Sequence, residues 1–507
     1  MASIEEKLEV VTSVDFGSGV AEDEKAELAS YFLETDVWRK VWDGKVDLIL
    51  APKGGGKSAV YSTLIERGAE LATRRILIAT AENPQGEPAF KTLVSNNPSE
   101  AEFKEIWALY FASLISETLS DAGVKSDPAK QLHAMLRDAG LLSGKQPRRK
   151  VLQSIWAYVR SRVSPEKVEG QLHLDPGTGA PIGLSSSMSF ADPAATLDPA
   201  EAIGDVSDLF DLAQDALQDV DRSLWICLDR LDAAFATAPE LERAALRALF
   251  RVYLDLRGFD RLQLKVFLRS DIWADVTAGG FREASHIVRK KTISWTEPTL
   301  LQLVTRRLVK SEELLKHYDL DARKVVADSA LQEQAFGRVF PKAVDTGSGK
   351  TKTLFRWCIN HTKDGLGVNA PRELISLFAH ARDAQVERYE TGLDDTDGEA
   401  IFHPKAFEAA DRQVSEERLN STVYAEYPDV VPYLEALDGE KGAQNDASLS
   451  RIWQTDEAET ARRTARLVDI GVLEQRKDHY WTPFLYRPAL GVVQGRAPEL
   501  KGIQTED

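Results

Sequence analysis

The sequence predicts an α/β fold: a parallel sheet with helices on both faces, then a helical region, then a small module of helices and a hairpin. Three observations predict it. Apolar runs at residues 46–50, 75–80, 224–228 and 262–268 have the length and composition of strands buried on both faces. Amphipathic runs at 102–119 and 240–256, with apolar residues at helical spacing, alternate with those strands. The end of the chain, residues 470–485, reads as a hairpin after several short helical segments.

The first strand carries the most informative chemistry. It runs into Ala51, Pro52, Lys53, Gly54, Gly55, Gly56, Lys57, Ser58 and Ala59. Three consecutive glycines let the backbone curl so that its N–H groups face inward, which makes an anion-binding nest. Lys57 is placed to reach the β- and γ-phosphates of a nucleotide. Ser58 can set a hydroxyl on Mg²⁺, and a helix opening at Lys57 to Ala59 turns its positive dipole end to the phosphates. The pattern G-x-x-x-x-G-K-[ST] asks for glycine at position 51, and this chain has Ala51.

Composition bounds the rest. At 507 residues the chain has room for roughly three domains of ordinary size. We expect an ATPase core over 1–295, a helical lid over 296–398 and a winged-helix-like domain over 399–507. No run approaches the ~18 consecutive apolar residues of a membrane span, and the first residues lack a secretory pattern. Two cysteines, Cys227 and Cys358, offer no disulfide framework and fit a cytoplasmic location. The eight histidines show no metal-ligand spacing. A net charge of −17 argues against broad adhesion to nucleic acid while leaving room for a local basic face.

In chain order, residues 21–33 read as a helix. Trp38 and Trp42 precede the first strand, where packing is the ordinary reading and an adenine contact the alternative. Further helices are expected over 129–142 and 150–163, with a basic loop at 145–150 between them. Residues 165–200 are rich in Pro, Gly, Ser and Asp and read as a flexible excursion. The strand at 224–228 then leads into Asp229, with Asp232 one helical turn on. Asp229 suits a Mg²⁺-holding carboxylate and Asp232 one that polarises attacking water. The ordinary alternative is a helix N-cap.

The strand at 262–268 ends in Arg269, either a γ-phosphate sensor or the partner of Asp271 or Asp229. Residues 287–295 read as one more strand. Arg282, Arg289, Arg306 and Arg307 are arginine-finger candidates, with surface salt bridges as the default. Residues 347–353 only superficially resemble a phosphate loop and read as a linker. Pro371 suits the first turn of a long helix, which puts Arg372 at a helix start, from where it can reach nucleotide phosphates. Arg462, Arg463, Arg466, Arg476 and Lys477 would give the last module a basic face, for DNA or merely solvated.

The stretch from Ala51 to Ser58, Asp229 and Asp232 after their strand, and the Phe267 to Asp271 run together resemble the STAND/KAP-like branch of AAA+ P-loop ATPases. Phe16 to Glu24, Ser294 to Thr296 and Pro483 to Arg487 are similar to poorly characterised bacterial members of that group. The resemblance implies a P-loop NTPase core, a lid with a sensor arginine at Arg372, and a C-terminal winged helix. It also implies a regulated switch, including a role in anti-phage defence beside a partner effector. The chain departs from the pattern at Ala51 and in having no Glu after Asp232. The expected function is Mg²⁺-dependent ATP binding and hydrolysis by a cytoplasmic homo-oligomer or effector-linked switch with no membrane contact. The alternative is a nucleotide-gated protein that binds double-stranded DNA through its last module.

Overall fold

A computed structural model describes residues 3–21, 23–81, 98–142, 148–163, 173–174, 181–183, 203, 205–231, 239–345 and 351–497. The excursion read at 165–200 lies almost wholly outside the described residues, and Asp232 lies outside them too. The chain divides into two compact units. One comprises residues 40–50 and 64–291. The other comprises 1–39, 51–63 and 292–507.

The first of these units holds the α/β sheet. Its strands are β1 (Leu48–Ala51), β2 (Ile76–Thr80), β3 (Ser223–Leu228), β4 (Leu262–Arg269) and β5 (Lys290–Thr292), in the order β2-β3-β4-β1-β5. The sheet is parallel, with Ile76 opposite Ser223 and Leu224 opposite Leu262. β4 therefore lies between the glycine-loop strand and the acidic strand. Crossover helices explain the parallel pairing, because a parallel strand needs a long return. Glu100–Asp121 and Pro239–Leu256 pack against one another, and Trp107 donates its indole N–H to the Ala245 carbonyl at 2.9 Å. Leu48, Leu77, Ile106, Leu224, Leu228 and Val266 share one apolar core.

Several boundaries moved. The strand expected over 287–295 shortens to Lys290–Thr292, although the Arg289 carbonyl already accepts the N–H of Asp47 at 2.8 Å. This is an exposed edge strand carrying two lysines, a common way to blunt a sheet edge. Thr296 then caps the helix Glu297–Leu308, which ends any extension. The basic cluster expected in a loop is partly helical, since Arg148 opens the helix Arg148–Val163. Trp42 carries Arg67 over its ring at 4.4 Å, which supports the packing reading.

The second unit is mostly helical. Pro371–Glu390 packs against Pro404–Arg418 and against Ile4–Ser13. Phe16, Phe340 and Phe407 pack against Phe378, with the Phe378 centroid 5.4 Å from both Phe16 and Phe407, and Phe402 packs on Phe340 and Phe407. Offset and edge contacts of this kind add to the apolar burial. Residues 351–353 are not linker: Thr351–Thr353 pairs antiparallel with Ala343–Asp345.

The end of this unit has the expected helices, Asp446–Trp453 and Glu457–Asp469. It also has the expected hairpin, Glu474–Arg476 with His479–Trp481. Two strands that periodicity did not reveal, Lys441–Gln444 and Val493–Arg496, extend it to four. Among the described residues no helix is long and apolar enough to cross a membrane.

Candidate nucleotide-phosphate site

The glycine loop is held within the second unit. Ala51 ends β1, fully buried and in strand conformation, so its Cβ is tolerated where the pattern asks for glycine. Pro52 to Gly55 then turn, the Gly55 N–H donating to the Pro52 carbonyl at 3.0 Å. Gly54 has φ +73° and Gly56 φ +93°, a region that side chains avoid. A Cβ on Gly55 would stand 2.9 Å from both Cδ and the carbonyl of Pro52. The helix Lys57–Glu66 begins directly after, so Lys57, Ser58 and Ala59 form its first turn and its N-terminus follows the loop.

Side chains from the same unit surround this loop. Trp295 donates its indole N–H to the Gly55 carbonyl at 2.9 Å. Lys53 pairs with Glu426 at 2.8 Å, so its side chain is directed to that carboxylate. Ala370, Arg372 and Glu373 back onto Gly54: a Cβ there would lie 3.1 Å from Cβ of Arg372. Arg372 occupies the first turn of Pro371–Glu390, behind a proline at the helix start. Its Nε is buried with no hydrogen-bond partner among the described residues. A buried guanidinium nitrogen left without an acceptor is costly, and an anionic oxygen would satisfy it.

Glu373 carries a second tie. One oxygen accepts from Arg418 at 2.8 Å, with Glu373 buried and Arg418 largely so. Burial works to lower the Arg418 pKa, but Glu373 overrides it and holds the guanidinium well above its ordinary value. Nearby, burial raises Asp364, offset in part by the N–H groups of Val368 and Leu366.

Asp229, Arg269 and Arg289 belong to the sheet unit. Asp229 follows β3 and is buried. Arg230 beside it adopts φ +60°, a strained value for a non-glycine residue of the sort that gathers at functional sites. Arg269 ends β4 and forms a two-point pair with Asp271, at 2.7 and 3.1 Å. Of the finger candidates, Arg289 pairs with Asp47 at 3.0 Å in this unit. In the other unit, Arg306 donates to the Phe32 carbonyl at 3.2 Å and Arg307 pairs with Glu24 at 2.8 Å.

Sequence reading missed one buried ionic centre. Lys265, inside the apolar β4, donates to Asp47 at 2.8 Å and to the Val46 carbonyl at 2.7 Å. Tyr253 donates to the same carboxylate at 3.2 Å. Burial lowers the Lys265 pKa, against the pull of Asp47, and the lysine also lies 4.6 Å from the Trp225 ring centroid. Lysine in the middle of an apolar strand was the available signal, since a buried charge demands a partner.

No family model and no curated protein matches the chain. Solved structures are similar at low identity. The Aeropyrum pernix ORC1 protein in complex with DNA is 12% identical over 93% of this chain and 91% of that one, with a TM-score of 0.34. The ORC2 protein of the same organism, in ADPNP–ADP complexes, is 13% identical over 92% and 90%, with a TM-score of 0.29. Cdc6p from Pyrobaculum aerophilum is 11% identical over 88% and 86%, with a TM-score of 0.28. The α/β P-loop NTPase fold rests on the sheet and the glycine loop of this chain.

Proposed function

We propose that the chain is a Mg²⁺-dependent ATP-binding and ATP-hydrolysing switch of the AAA+ type. The observation that carries it is the glycine loop, with Gly54 and Gly56 at positive φ, opening the Lys57 helix, and the first turn of the Arg372 helix packed on Gly54. ATP is the substrate: the loop N–H groups from Gly54 to Ala59 and the Lys57 ammonium would bind its phosphates, with Arg372 countering their charge. Ser58 and Asp229 are the residues suited to hold Mg²⁺, which would offset phosphate charge during transfer to water. Asp232 keeps its proposed role of orienting that water, and Arg269 that of a γ-phosphate sensor once its pair with Asp271 opens. Residues 296–398 would act as lid and 399–507 as a winged-helix-like module, with homo-oligomerisation or a partner effector as the output, in anti-phage defence among other settings.

Phosphate release from ATP and equilibrium ATP binding test this reading. Wild type should bind and turn over ATP. Lys57→Ala should abolish turnover and weaken binding strongly, and Arg372→Ala should weaken binding by about tenfold if a charge-assisted contact of roughly 1.5 kcal/mol is lost. Absence of ATP binding by the wild type would remove the proposal.

The DNA-binding alternative fits the helix-plus-hairpin layout less well than its sequence suggested. Arg462 and Arg463 pair with Glu459 at 2.7 and 2.8 Å, and Arg476 pairs with Glu474. Arg466 lies 3.4 Å from Asp429. Three carboxylates, Glu459, Asp429 and Glu474, thus face these four arginines and cut the net charge offered to phosphates.

A further inference from the structure

Gly55 and Gly56 are joined by a peptide whose orientation neither residue restrains. Both flanking residues lack Cβ, so this plane can rotate at little steric cost. In a trans peptide the C=O and the following N–H point in opposite directions. Whatever holds the Gly55 carbonyl therefore also aims the Gly56 N–H. Trp295 holds it, through the 2.9 Å bond from its indole nitrogen. Its ring also covers Gly56, 3.5 Å from where a Cβ would sit.

Trp295 is itself fixed. Its neighbour Thr296 caps Glu297–Leu308 in a reciprocal box with Thr299, the Thr296 N–H reaching Thr299 Oγ1 at 2.9 Å. Ile293, two residues before, is buried, and the Trp295 ring packs on the apolar core of its unit. An anchored indole is a rigid donor, unlike a lysine or arginine on a long stem.

We propose that Trp295 is a positioning residue that locks the Gly55–Gly56 peptide with the Gly56 N–H turned to the nucleotide phosphates. The inference rests on the nucleotide reading above and deepens it. Without the lock, only part of the population presents that N–H, and apparent affinity falls by the competent fraction. Saturating nucleotide restores the competent state, so the maximal rate is preserved.

The test compares full-length wild type, Trp295→Phe and Lys57→Ala by ATP binding, steady-state turnover and the thermal midpoint of the nucleotide-free protein. Phenylalanine keeps a ring over Gly56 and removes the donor. The expected result is a Kd and KM for ATP raised by about fivefold, the scale of one hydrogen bond. The kcat and the nucleotide-free midpoint should stay at wild-type values. Unchanged affinity in Trp295→Phe, while Lys57→Ala loses binding, overturns the inference and leaves the nucleotide reading standing. Affinity lost together with a lowered nucleotide-free midpoint assigns Trp295 to packing and also overturns it. A wild type that binds no ATP removes both. Where the chain binds without turning over, Kd alone carries the comparison.

Discussion

At the scale of single residues, the loop separates positions where glycine is required from one where it is dispensable. Gly55 has no room for a Cβ, because Pro52 backbone and ring atoms stand 2.9 Å away. Gly55→Ala must therefore shift the turn, and ATP affinity should fall by at least roughly tenfold, about a 1.4 kcal/mol effect. Ala51 sits in an ordinary strand conformation, so Ala51→Gly should restore the pattern without improving ATP binding. It should instead lower stability by about 0.5–1 kcal/mol through added chain freedom, which thermal and urea unfolding would record. An affinity gain in Ala51→Gly would contradict this account of the departure. The loop was legible in the sequence because its chemistry is local: consecutive residues make the nest. Trp295 and the Asp47–Lys265 pair were not legible, because each contact joins residues more than 200 positions apart. A lysine inside an apolar strand announces that Lys265 needs a partner, but nothing in the local pattern says which residue it is.

At the scale of elements, the start of the chain is tied to Glu297–Leu308 by one buried cluster. Glu24 pairs with Arg307, accepts from Tyr31, and receives the Gly19 N–H at 2.8 Å. The Arg307 guanidinium lies 3.9 Å from the Tyr31 ring centroid. Burial acts to raise the Glu24 pKa, but the hydrogen bonds from Arg307 and Tyr31 outweigh it and hold the carboxyl below its ordinary 4.5. A depressed native pKa means stability that is present above pH 4.5 and lost as pH falls through the native value. Glu24→Gln should lower stability by about 3 kcal/mol at neutral pH, because it leaves Arg307 buried without its counter-charge. The gap to wild type should close below pH 4.5. Urea unfolding at both pH values checks it, and a gap that persists in acid would refute the assignment. The strongly apolar strands and long helices were legible for the same reason that burial selects them. Two short strands, Lys441–Gln444 and Val493–Arg496, were not. Lys441–Gln444 contains no β-branched residue, and its strand character comes from pairing with His479–Trp481 and Val493–Arg496.

At the scale of the whole molecule, charge decides between the two functional readings. The chain carries a net −17, and Arg462, Arg463, Arg466 and Arg476 of its last module are paired with carboxylates of the same unit. Non-specific affinity for a duplex comes from released counterions, and each phosphate neutralised by a free cation steepens its salt dependence. With a net charge of −17 and most of these arginines held by carboxylates, this protein should bind random duplex DNA more weakly than the roughly 10⁻⁴–10⁻⁶ M typical of non-specific binders at physiological salt. Fluorescence anisotropy with a labelled duplex across a salt series measures this directly. The nearly flat salt response expected here would place the output of the proposed switch in protein contacts. A steep slope, steeper with ATP than with ADP, would instead require the Glu459 and Glu474 pairs to open when nucleotide binds. In that case Glu459→Gln should strengthen DNA binding with ADP bound and reduce the difference between the two nucleotides. If DNA binding is weak in every state, Glu459→Gln should leave ATP turnover unchanged, because its arginine partners serve only to neutralise that face.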